Sequence, residues 1–184
     1  MLLNNNFCPD GGTGRRAGFK IQFWQQSVGS IPTLGTNKTQ MHSLKKQKRY
    51  DKAYMKMALE WAKLSYCTRK QVGALIVKDQ MIISDGYNGT PSGFENNCEL
   101  DSGETKWYVL HAEANAILKC AKYGQSCQDA DLYLTLSPCK ECSKLIHQAG
   151  IKRVIYYHSY KDSSGLEFLK KAGVEIVQID NLHN

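Results

Sequence analysis

No stretch of this sequence approaches the roughly 20 consecutive apolar residues that span a bilayer. Its longest apolar stretches, Val72 to Val77 and the segment ending at Tyr157, are strand-sized, so no membrane-spanning helix is expected. The first residues lack a continuous apolar core and carry Asn4, Asn5, Asn6, Gly11, Gly12, Arg15 and Arg16 instead, a composition that argues against a secretory signal. A cytosolic protein is the resulting expectation. An even cysteine count is missing too: there are seven, and two form Cys139-Lys140-Glu141-Cys142. In a reducing compartment that usage favours metal binding over a disulfide framework. Internal repeats are absent. At 184 residues with 42% hydrophobic side chains, the chain is long enough for one domain with a real core and short for two.

A net charge of +7 invites a nucleic-acid reading. The basic residues are dispersed, however, with one tight run at Lys45, Lys46, Lys48 and Arg49. Such a run is read first as a solvated surface, and nucleic acid is not the expected partner.

Residues 1–40 are rich in Gly, Asn, Thr and Gln and show no sustained helix or strand period. They read as an extension, either disordered or non-native, ahead of a folded domain at 41–184. Codons of the form GGN TCG ATT CCN for Gly29-Ser30-Ile31-Pro32 would resemble the T-arm consensus of a transfer RNA gene. That would place the natural start at Met41.

From Tyr50 the pattern becomes regular. Tyr54, Met57, Ala58, Trp61 and Leu64 share one face of a helix and are expected to pack on the core. Strands follow at 72–78 and 81–86, joined by the short Asp79-Gln80 link of a hairpin. A long polar connector runs from Tyr87 to about Lys106, and loops of that length commonly line or cover a site. Helices at 109–122, 138–149 and 164–172 then alternate with strands at 131–136, 152–157 and 174–178. Strand-helix-strand units imply parallel pairing, so the expected fold class is α/β, a mixed five-stranded sheet flanked by helices.

The chemistry concentrates at two helix starts. Ser137 suits a helix N-cap and Pro138 a first helical position, which would put Cys139 and Cys142 on one face at the positive end of a helix dipole. That location favours the thiolates that zinc requires. The pair alone could equally be redox-active or half of a structural zinc site. His111-Ala112-Glu113, at the start of the preceding helix, offers a third ligand with a carboxylate two residues on. Three protein ligands leave a fourth position for water, with Glu113 as the general acid and base. His-x-Glu followed by Pro-Cys-x-x-Cys is the signature of the zinc nucleobase deaminases.

With Val72-Gly73-Ala74, Gly86-Tyr87-Asn88-Gly89-Thr90-Pro91-Ser92-Gly93, His111-Ala112-Glu113-Ala114-Asn115-Ala116-Ile117 and Ser137-Pro138-Cys139-Lys140-Glu141-Cys142 in that order, the chain resembles the deoxycytidylate (dCMP) deaminases from about Tyr50 to Gln178. The resemblance implies the three-layer cytidine deaminase-like fold and Zn2+ on His111, Cys139 and Cys142. It also implies hydrolytic deamination of dCMP to dUMP for thymidylate synthesis, a homo-oligomer, and dCTP and dTTP as effectors. Asn88 matches an asparagine that approaches the sugar, Ala112 is carried over as a substrate contact, and Tyr160 and Lys161 lie where the family binds nucleotide. Arg69 and Lys70 are rival partners for the phosphate. Some members hold a second, structural zinc, for which Cys67 and Cys98 could supply two ligands. No other His or Cys stands between Cys98 and His111, so these two are expected to be buried, metal-free thiols.

Alternatives are deaminases of CMP, of a riboflavin-pathway pyrimidine or of guanine. A different class is a noncatalytic zinc module that binds nucleic acid through Lys45 to Arg49. Glu113 argues against the last, since a structural site has no use for a carboxylate beside its ligand.

Overall fold

The computed structural model describes residues 36–182. Helix α1 (Thr36–Ala62) is followed by strands β1 (Gly73–Lys78) and β2 (Met81–Tyr87), helix α2 (Ala112–Lys122) and strand β3 (Asp131–Leu136). Helix α3 (Lys140–Gln148), strand β4 (Arg153–His158), helix α4 (Ser164–Lys171) and strand β5 (Glu175–Gln178) complete the order. Most of the sequence-defined extension lies outside the described residues, and α1 already begins at Thr36, five residues ahead of Met41. Among the described residues, no helix is long and apolar enough to cross a membrane.

The strands form one five-stranded sheet in the order β2-β1-β3-β4-β5. β1 runs antiparallel to both β2 and β3, whereas β3, β4 and β5 are mutually parallel, so the sheet is mixed as expected. The hairpin between β1 and β2 turns on Asp79 and Gln80, both at positive φ (50° and 64°), the backbone of a two-residue turn whose twist matches the strands. Two cores sandwich the sheet. On one face Ala112, Ala116, Ile146 and Leu169, from the three C-terminal helices, pack on Ala74, Ile76, Leu132, Leu134 and Val154. On the other, Met55 and Ala58 of α1 pack on Leu75, Val77, Tyr133 and Ile155. This alternation along each strand gives the three layers.

Two details depart from the sequence expectation. The buried positions of α1 are Asp51, Met55, Ala58 and Ala62, so its core stripe is rotated from the one predicted, and Met57 and Leu64 are exposed. Asp51 explains the rotation. Its carboxylate accepts from the Tyr133 hydroxyl at 2.7 Å and meets the Arg153 guanidinium at 3.1 Å, which turns a formally polar position inward. The second departure is a disulfide between Cys67 and Cys98, expected above to be free thiols. Their Cα atoms are 5.1 Å apart, within disulfide range, because the turn after α1 is drawn onto the connector. The Ser65 hydroxyl donates to the Asn88 carbonyl at 2.7 Å, and the Thr68 and Arg69 amides donate to the Glu99 carboxylate.

Candidate active site

β3 delivers the chain to α3, and β2 with the connector delivers it to α2. The two helix starts meet. Both metal-ligand candidates that open these elements are N-caps: His111 (φ −75°, ψ 156°) and Cys139 (φ −74°, ψ 168°) are extended, and neither side chain caps its own helix. Their donor atoms are thereby free to ligate. Ser137, expected from sequence to cap α3, does not do so, because the cap position is Cys139. The chain stays extended through Cys139, and the Ser137 hydroxyl instead accepts the Tyr160 amide at 2.8 Å. Ser137 thus ties the loop after β4, with Tyr160 and Lys161, to the start of α3.

The α2 start is fixed from below by close packing. Gly86 lies against the backbone of α2, where a Cβ would come within 2.8 Å of the Ala116 amide nitrogen and collide with the Ala112 carbonyl. The Asn115 side chain donates to the Tyr87 carbonyl at 2.7 Å, pinning the first turn of α2 to the end of β2.

His111 Nδ1 is 3.6 Å from Cys139 Sγ and 3.3 Å from Cys142 Sγ. One ligand atom from each of the three lies within 4.8 Å of the others, the only such group of His, Cys, Asp and Glu among the described residues. One nitrogen and two sulfurs are a zinc donor set, and three of them are the number a catalytic zinc takes from protein. The electrostatics agree. Hydrogen bonds from Cys142 and His111 draw the Cys139 thiol down to about 3, so it is a thiolate at neutral pH. The shared proton and burial push the Cys142 thiol in the opposite direction. The thiolate, first of all, raises the His111 imidazole above its ordinary value. Glu113 is only 4% exposed, and burial raises its carboxyl above the ordinary carboxylate range, as suits a group that must both take and give a proton. Glu113 and Cys142 are buried, whereas His111 is exposed and Cys139 partly so, leaving the site open on one side.

That side is a cavity of about 370 Å³. Of the residues assigned from sequence, His111, Ala112, Glu113, Cys139, Asn88, Tyr160 and Lys161 all line it, as do both rival cations, Arg69 and Lys70. Cys142 sits behind them. Asn88 has work of its own: its Oδ1 accepts the Val72 amide at 2.7 Å and its Nδ2 donates to the Lys70 carbonyl at 2.8 Å. One N–H and one lone pair of the amide remain for a ligand. Missed in the sequence were Glu99 and Thr105 on the same cavity wall, which no short motif signals.

Comparison with known proteins agrees with this geometry. The model of the cytidine and deoxycytidylate deaminase zinc-binding region matches residues 48–158, a span that contains all three ligands and Glu113. Deoxycytidylate deaminase of Enterobacteria phage T4 is 34% identical over 158 residues, covering 62% of this chain and 82% of the phage protein. ComE operon protein 2 of Bacillus subtilis is 40% identical over 121 residues, and this chain spans 64% of that protein's length and is matched over 63% of its own. Among solved structures, the dCMP deaminase of cyanophage S-TIM5 in complex with dCMP and dUMP superposes with a TM-score of 0.70 at 45% identity, covering 71% of this chain and 97% of that one. The deaminase/reductase of Thermotoga maritima shares the fold at a TM-score of 0.57 and 28% identity, but only 36% of that chain is covered. With its zinc donor set, its buried carboxylate and these relatives, the chain belongs to the cytidine and deoxycytidylate deaminase family.

Proposed function

We propose that this protein hydrolyses dCMP to dUMP and ammonia. One observation carries the reading: a single cavity is lined by His111 and Cys139 of the donor set that Cys142 completes, by the buried Glu113 and by three cationic side chains, Arg69, Lys70 and Lys161. A cytosine ring needs the first two, and a monophosphate needs the cations. At about 370 Å³ the cavity suits a mononucleotide.

His111, Cys139 and Cys142 would hold a zinc ion. Bound zinc supplies Lewis acidity that makes water a nucleophile at neutral pH. Glu113 takes the proton of the water that attacks C4 of the base, delivers it to ring N3, and then serves the departing amine. Burial raises this carboxyl above its ordinary value and keeps bulk solvent away from it. The Asn88 amide, rigid between the Val72 and Lys70 backbones, presents its remaining hydrogen and lone pair to a sugar hydroxyl. Ala112, fully buried between His111 and Glu113, contributes backbone to the base site. Tyr160 and Lys161, anchored through Ser137, close the cavity on the phosphate side with Arg69 and Lys70.

Homo-oligomerisation and control by dCTP and dTTP belong to the same reading, as does a cytoplasmic location. Light scattering and assays with each triphosphate test the first two. The activity itself is tested by following absorbance and ammonia with dCMP, CMP and deoxycytidine. Turnover is expected to be fastest on dCMP.

A further inference from the structure

The cavity contains a second carboxylate that the chemistry above leaves unused. Glu99 lies in the connector between β2 and α2 and is 8% exposed. Buried acids near a reacting centre invite a catalytic reading, but the contacts of Glu99 point elsewhere. Its Oε1 accepts two backbone amides, Thr68 at 3.1 Å and Arg69 at 3.3 Å. Burial alone would raise this carboxyl, yet those N–H groups outweigh it and hold the group below its ordinary value. An acid stabilised as an anion by backbone donors is a poor proton shuttle. It is a good clamp.

What it clamps is the turn Thr68–Lys70, which supplies two of the three cations of the cavity. The turn has no helix or strand of its own. Glu99 holds its first half and Asn88 its second, through the Lys70 carbonyl. From that platform the Arg69 guanidinium donates to the Thr105 hydroxyl at 3.2 Å, and Thr105 is the residue bridged to Glu99 across the connector. Lys70 Nζ lies 5.9 Å from the ring centre of Tyr160. Both cations are thus aimed by partners that depend on the turn's position. Neither side chain is buried, so their aim depends on these few contacts and on the backbone that carries them.

We propose that Glu99 is a positioning residue for phosphate recognition: its carboxylate fixes the Thr68–Lys70 backbone so that Arg69 and Lys70 meet the nucleotide phosphate. The inference rests on the monophosphate reading. It requires an acceptor at a given place, not a negative charge as such. Glutamine at 99 keeps an oxygen at the same reach, whereas aspartate keeps the charge but is one methylene short.

The test is steady-state kinetics on dCMP with zinc-loaded Glu99→Gln, Glu99→Asp and Glu99→Ala, beside the double variant Arg69→Ala/Lys70→Ala. The double variant is expected to raise KM for dCMP about tenfold with kcat within about twofold. Glu99→Asp and Glu99→Ala should raise KM severalfold to tenfold with kcat retained, and Glu99→Gln should stay within about threefold of wild type. Should Glu99→Ala fail to fold, the Asp and Gln variants decide. An Asp variant that works while Gln fails would show that charge is what matters and overturn the proposal, as would a loss confined to kcat. A double variant with wild-type KM overturns the phosphate reading together with the inference. Glu99 variants with wild-type KM beside an impaired double variant overturn the inference alone.

Discussion

Gly86→Ala isolates the link between sheet packing and catalysis. The added Cβ would collide with the Ala112 carbonyl and stand 2.8 Å from the Ala116 amide nitrogen, against an ordinary contact distance of 3.4 Å or more. Because both partners are backbone of α2, no side chain can swing aside. The first turn of α2 must therefore move by roughly half an ångström or more, at a cost of about 1–3 kcal/mol. That turn carries Glu113 and follows His111, and a displacement of about 1 Å in a reacting group can cost about 100-fold in rate. Gly73→Ala is the matched control. There the Cβ meets backbone of α1 on the opposite face, with the Ala62 amide nitrogen at 2.7 Å, and α1 holds none of the zinc ligands and no catalytic acid. Urea unfolding should show both variants destabilised by about 1–3 kcal/mol. Ammonia release should show kcat reduced tenfold or more for Gly86→Ala and nearly unchanged for Gly73→Ala. Equal kcat in the two variants would refute the claim that this packing sets the catalytic geometry.

Two stability predictions follow from long-range contacts. Serine at either Cys67 or Cys98 opens a loop closed across 31 residues, and chain entropy puts the loss at about 3–4 kcal/mol; urea titration of wild type with and without a dithiol should show the same difference, and an unchanged midpoint would contradict it. Arg153→Met leaves the buried Asp51 and the half-buried Asp131 without their shared guanidinium, 3.1 and 2.8 Å away, for a loss of about 3–5 kcal/mol at neutral pH. Burial already raises the Asp131 carboxyl, with Arg153 opposing, so removing the cation raises it further and makes the charged form a net cost. The penalty should therefore shrink as pH falls through that raised value, a trend that thermal melts at several pH values would check.

What the sequence disclosed and what it hid divide along chain distance. All five strands lie within a residue of their expected bounds, because each is a short apolar run between polar turns. The site was legible because His111 with Glu113, and Cys139 with Cys142, are local spacings at element boundaries. Contacts that depend on distant partners left no such trace. Asp51 looks like a solvent-facing residue until Arg153, 102 positions away, is brought against it. Ser137 has the composition of a cap, yet its hydroxyl is claimed by the Tyr160 amide, 23 residues on. Cys67 and Cys98 carry no local sign of pairing, and the lack of further His or Cys ligands between Cys98 and His111 favours free thiols. Glu99 was invisible for the same reason, since its two amide donors come from 30 residues or more upstream.

The most direct measurement is turnover of dCMP by the zinc-loaded protein and by Glu113→Gln, with metal content determined on both. The wild type is expected to release one ammonia per dUMP formed, and Glu113→Gln to retain its zinc while losing about 1000-fold or more in kcat. A zinc-loaded wild type inert on dCMP, CMP and deoxycytidine alike, or a Glu113→Gln variant with undiminished turnover, would contradict this.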